Sequence, residues 1–129
     1  MALAEPPRRA GRRVLLVDDN VDAADSMAML IRLEGHEVLA LHDGFDIVEQ
    51  ARSFRPDIAL LDLGLPGRDG YQVARDLRET ADLKDLVLVA VTGYGQDEDR
   101  RRTREAGFAS HLVKPVDLDE LLQLLAARS

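Results

Sequence analysis

No cysteine occurs in this chain, which excludes a disulfide framework and any thiolate-ligated metal. That usage suits a reducing cytoplasm. An excess of positive charge is also missing, because 24 acidic side chains outnumber 17 lysines and arginines for a formal net charge of −7. Nucleic-acid backbones are held by clustered positive charge, so the balance argues against such a partner. No apolar run approaches the length of a membrane span. The amino-terminal residues likewise hold no apolar stretch long enough for a secretory signal.

What remains is a chain of 129 residues, 46% hydrophobic and 32% charged. That suffices for one domain with a real core beneath a solvated surface. Residues 1–12 differ from the rest, carrying Pro6, Pro7, Arg8, Arg9 and Arg12. They read as a disordered leader or linker remnant, leaving 13–129 as the domain.

Strand-like and helix-like runs alternate five times. Strands are expected over Arg13–Val17, Glu37–Leu41, Asp57–Leu61, Leu86–Val91 and Ser110–Val113. Asn20 can cap the first helix, whose Ala24, Met27, Ala28 and Ile31 share a face and whose end falls at Gly35. Further helices are expected over Phe45–Ser53, Tyr71–Thr80 and Gln96–Glu105. The last helix carries Leu118, Leu121, Leu122 and Leu125 on one apolar stripe, with Leu124 left over as a candidate exposed leucine. Repeated βα units imply a doubly wound five-stranded parallel sheet, with two helices on one face and three on the other. The strand order 2-1-3-4-5 is adopted by analogy with flavodoxin-type sheets.

In such a sheet, polar residues that end the apolar strands gather at the carboxyl edge, where ligands bind. Asp18 and Asp19 end the first strand, Asp62 the third, Thr92 and Gly93 the fourth, and Lys114 the fifth. Three carboxylates and an amine suit a hard cation and a phosphoryl group. Magnesium, or manganese in its place, takes oxygen ligands while keeping several waters. Asp18 or Asp19, Asp62 and the backbone carbonyl of Gly64 would supply them. Lys114 offers a point charge and Thr92 a hydroxyl to a phosphoryl oxygen.

Val17-Asp18-Asp19-Asn20, Asp62-Leu63-Gly64-Leu65-Pro66-Gly67-Arg68-Asp69-Gly70, Thr92-Gly93 and Lys114-Pro115 resemble the motifs of response-regulator receiver domains. The resemblance spans about Arg13 to Ala127, and within the family the wording is most similar to receivers of hybrid histidine kinases. It implies that Asp62 is the phosphoacceptor, charged from a phosphohistidine on a sensor histidine kinase or histidine phosphotransfer domain. It further implies magnesium on Asp18 and Asp19, phosphoryl contacts from Thr92 and Lys114, and a cis peptide before Pro115. Output or kinase domains could belong to the same full-length chain.

One position departs from the family pattern. Where a receiver carries Tyr or Phe three residues before the lysine, this chain has His111, which puts the usual threonine–aromatic switch in doubt. Gly64 and Tyr94 occupy positions that tune phosphate lifetime in such domains. Two other readings stay open. A magnesium-dependent aspartyl-phosphate phosphatase would want a second carboxylate two residues after the nucleophile, where Gly64 stands. A flavodoxin-like cofactor module would want a phosphate-cradling loop where Asp18-Asp19-Asn20 would repel one. Arg100, Arg101, Arg102 and Arg104 read as a solvated helix face paired with Asp97, Glu98 and Glu105. His36 and His42 read as surface residues.

Overall fold

The computed structural model describes residues 11–43, 45–65, 69–93 and 97–127. The leader over residues 1–10, the loop residues Pro66, Gly67 and Arg68, and Tyr94 lie outside the described residues. Five strands, β1 (Arg13–Val17), β2 (Glu37–Leu41), β3 (Ile58–Asp62), β4 (Val87–Thr92) and β5 (Ser110–Val113), form one parallel sheet in the order β2-β1-β3-β4-β5. Helices α1 (Val21–Leu33), α2 (Ile47–Phe54), α3 (Gly70–Glu79), α4 (Asp97–Glu105) and α5 (Leu118–Ala127) follow the strands in turn. This is the doubly wound, flavodoxin-like architecture.

Strand residues alternate between two cores, because successive side chains leave opposite faces of a sheet. Leu15, Val17, Ala59, Leu61, Leu88 and Ala90 meet α2, α3 and the end of α4 through Ile47, Ala51, Val73, Leu77 and Ala106. Val14, Leu16, Ile58, Leu60, Val89 and Val91 meet α1 and α5 through Ala28, Ile31, Leu121 and Leu125. Both faces are therefore covered, as the near-continuous apolar strands require. Leu124 is half-buried against the second core rather than left over on the surface.

Helix ends follow local chemistry. The Asn20 side chain accepts from the Ala23 N–H at 3.0 Å and caps α1, and Gly35 takes the left-handed conformation after it at φ +97°. Asp69 caps α3 by accepting from the Tyr71 N–H at 2.9 Å. The second helix departs from expectation. It begins at Ile47 rather than Phe45, which is exposed, and continues to Phe54, where Arg55 closes it at φ +57° with its N–H on the Ala51 carbonyl. Strands β3 and β4 start one residue later than the apolar runs suggest and extend one further, so Asp62 and Thr92 are themselves the final ladder residues.

At the opposite edge Arg12, assigned to the leader by sequence, is tied into the fold. Its N–H donates to His36 Nδ1 at 2.9 Å, its Nε donates to the Leu125 carbonyl at 2.7 Å, and its carbonyl accepts from the Glu37 N–H. His36 is thus a half-buried acceptor rather than a plain surface residue, and His42 pairs with Asp25 at 3.2 Å.

Candidate phosphoryl and metal site

The register places the site. Asp62 stands beside Val91 and Thr92 beside Val113, so β1, β3, β4 and β5 all end at one level. The ladder runs on past them: Lys114 N–H donates to the Thr92 carbonyl at 2.8 Å, and Leu63 N–H to the Val91 carbonyl at 3.0 Å. Lys114 therefore leaves β5 at the level where Asp62 leaves β3. The Lys114–Pro115 peptide is cis.

Asp62 is 5% exposed and Asp18 7%, while Asp19 is exposed. Carboxylate oxygens of these three lie within 4.8 Å of one another. Lys114 Nζ donates to Asp62 Oδ2 at 3.0 Å and stands 3.7 Å from Asp18 Oδ2. The other Asp62 oxygen accepts from the Gly64 N–H at 2.8 Å, and Asp18 Oδ1 accepts from the Asn20 N–H at 3.0 Å. Each buried carboxylate is thus oriented by one short backbone turn. Asp62, Lys114, Thr92, Gly93, Asp19 and Gly64 line a cleft of about 420 Å³, which Tyr71 and Arg102 also face.

The electrostatics are those of charges crowded at the edge of a core. Burial, more than any neighbour, pushes the Asp18 carboxyl above the usual carboxylate range. The Asn20 N–H and Lys114 oppose that push, and the Asp62 charge adds to it. Burial works to lower the Lys114 ammonium, but the Asp62 hydrogen bond and the charges of Asp62, Asp18 and Asp19 together hold it above its usual value. Three carboxylates facing one ammonium leave the cluster short of positive charge. An all-oxygen donor set with that deficit fits a hard divalent cation, for which oxygen ligands and a net negative cage are what matter.

Residues 14–126 match the family model described as the response regulator receiver domain. The chain belongs to that family. This receiver domain is 33% identical over 115 residues to protein PilH of Pseudomonas aeruginosa, an alignment covering 89% of this chain and 95% of PilH. It is 36% identical over 115 residues to response regulator MprA of Mycobacterium ulcerans, covering 89% of this chain but 49% of MprA. It thus spans nearly all of one relative and about half of the other. Among solved structures, the receiver domain of sensor histidine kinase PA1611 from Pseudomonas aeruginosa PAO1 superposes with a TM-score of 0.81 at 31% identity. The match covers 92% of this chain and 97% of that one, which holds a magnesium ion coordinated in its active-site cleft.

Two cleft residues escaped the sequence reading. Arg102 was assigned to a solvated, ion-paired helix face, yet its guanidinium lies 4.2 Å from the centroid of the Tyr71 ring. Tyr71 carries no motif of its own and reads only as the first residue of a helix. The signal available was topological, since the first turn of α3 and the residues of α4 follow strand ends at this same edge. Of that expected face Arg101, Arg104 and Glu105 are exposed, while Asp97, Glu98 and Arg100 have side chains outside the described residues. His111 sits half-buried in β5 beside Ala90, on a separate cleft of about 300 Å³ that it shares with Thr103, Arg104 and Phe108.

Proposed function

We propose that this receiver domain accepts a phosphoryl group on Asp62 from the phosphohistidine of a sensor histidine kinase or histidine phosphotransfer domain. The observation that carries the reading is the 3.0 Å contact between Lys114 Nζ and Asp62 Oδ2 inside a cluster of three carboxylates. An Asp62 carboxylate oxygen bonds to phosphorus as the donor's P–N bond breaks, and the electron pair leaves with the imidazole nitrogen. Lys114 keeps its charge through this exchange and follows the new negative charge onto a phosphoryl oxygen, with Thr92 and Gly93 contributing donors at the same edge.

Asp18, Asp19 and Asp62, with the Gly64 carbonyl, are the residues that would hold magnesium, or manganese in its place. When bound, the ion would offset the negative charge between Asp62 and the incoming donor. The magnesium-bearing cleft of the PA1611 receiver domain supports this assignment.

The domain then signals through a shift of its loops and of the face formed by α4, β5 and α5, with His111 at the customary aromatic position. It does not turn over outside substrates, because Gly64 supplies no second acid–base carboxylate beside Asp62. Among the described residues no helix is long and apolar enough to cross a membrane, and a cytoplasmic receiver unit that includes Arg12, of the kind attached to hybrid kinases, accords with the motifs.

The test is labelling by acetyl phosphate or a phosphohistidine donor in magnesium. Wild type should take up label and Asp62→Asn should take up none. Equal labelling of the two would remove Asp62 from the mechanism.

A further inference from the structure

Arg102 and Tyr71 face the cleft that holds Asp62, Thr92 and Lys114, and neither belongs to the phosphoryl-binding set described above. The ring is firmly placed. Tyr71 is buried on the first turn of α3 and meets Phe108 edge-on at a centroid distance of 6.4 Å. Arg102 lays its guanidinium over that ring at 4.2 Å. Stacking occupies the π face of a guanidinium, while its N–H donors radiate in the plane and match oxyanions in geometry. The platform therefore holds a planar cation at the wall of the cleft.

The charge balance gives that cation a purpose. A phosphoryl group on Asp62 would replace the single carboxylate charge with up to about two, a net gain of about one negative charge placed further out into the cleft. Lys114 already answers both Asp62 and Asp18. We propose that Arg102 is a second phosphoryl-binding cation of this cleft, resting on Tyr71 while Asp62 is bare and turned onto the phosphoryl oxygens once Asp62 is loaded. The inference rests on the reading of Asp62 as phosphoacceptor. It also supplies a link from the site to α4 that does not pass through His111, because Arg102 is part of α4.

Calorimetric titrations of the whole chain with Mg2+ alone, and with beryllofluoride at saturating Mg2+, test the proposal on wild type, Arg102→Ala and Arg102→Lys. Loss of the cation should weaken beryllofluoride by about tenfold, the scale of one charge-assisted hydrogen bond. The affinity for Mg2+ alone should stay level or rise, because a like charge has been removed. Arg102→Lys should recover part of the beryllofluoride affinity. A stack that merely braces the fold would instead weaken both ligands together.

Tyrosine emission gives a second readout, since the chain has no tryptophan and two tyrosines. In a Tyr94→Phe background, Tyr71 emission should change on adding beryllofluoride, and the change should vanish when Arg102→Ala is added. Unaltered beryllofluoride affinity in Arg102→Ala, parallel loss of both ligands, or a constant Tyr71 signal would each overturn the inference while leaving Asp62 in its role. Should wild type bind beryllofluoride no better than Asp62→Asn, the phosphoacceptor reading falls and this inference with it.

Discussion

Asp18 keeps its carboxylate against the core with one backbone donor, the Asn20 N–H, and a lysine 3.7 Å away. Burial dominates its titration and raises its pKa. A carboxyl raised on folding is stabilising only while protonated; that contribution is lost as pH rises through the folded value. At neutral pH its ionised form therefore costs stability. Asp18→Asn keeps the oxygen that Asn20 needs and deletes the charge. In metal-free buffer it should raise stability by about 1 kcal/mol, or a few degrees in Tm, as removal of a desolvated charge allows. The same variant should lose most Mg2+ affinity by calorimetry. A lower Tm would mean that the Lys114 contact outweighs desolvation.

Among the elements, α2 shows what sequence hides. Arg55 ends it in the left-handed region, at φ +57° and ψ 61°, a conformation that suits glycine and strains a residue with a Cβ. Arg55→Gly should relieve that strain and stabilise the domain by roughly 0.5–1 kcal/mol, seen as a higher urea midpoint. A lower midpoint would show that the arginine side chain contributes more than the strain removes. Glycine would have announced this cap, as Gly35 and Gly107 do after α1 and α4; arginine conceals it. The strands were legible because burial on both faces leaves an unbroken apolar run, as in Ile58–Leu61. Their polar ends were legible for the same reason, and Asp18, Asp62, Thr92 and Lys114 do converge. Arg102 was not, because four arginines within five residues of a polar helix look solvated until the neighbouring ring is placed. Tyr71 comes from a different helix, about thirty residues away, and no local spacing connects the two.

Across the whole molecule, the edge opposite the site is stitched by Arg12. It joins the entrance of β1 to His36 before β2 and to Leu125 near the end of α5. Burial lowers the His36 pKa, the Arg12 charge lowers it further, and Glu34 opposes both. Only the neutral ring can accept the Arg12 N–H at Nδ1, since a protonated Nδ1 is a donor. With the folded value depressed, the unfolded chain takes up the proton first as pH falls through about 6.5. Stability should therefore be complete above that value and decline below it. Urea midpoints at pH 7.5 and pH 5.5 should fall further for wild type than for His36→Gln. Equal declines would assign the pH dependence to other groups.

The ammonium of Lys114 bridges two of the three clustered acids within the protein alone. It serves as a built-in placeholder, partly neutralising the cage from within. That contact lessens the repulsion among the acids, so the domain is expected to fold in metal-free buffer, unlike small zinc modules whose architecture waits on the ion. A divalent ion, where one is bound, would then bear on when Asp62 can be charged more than on whether the domain folds.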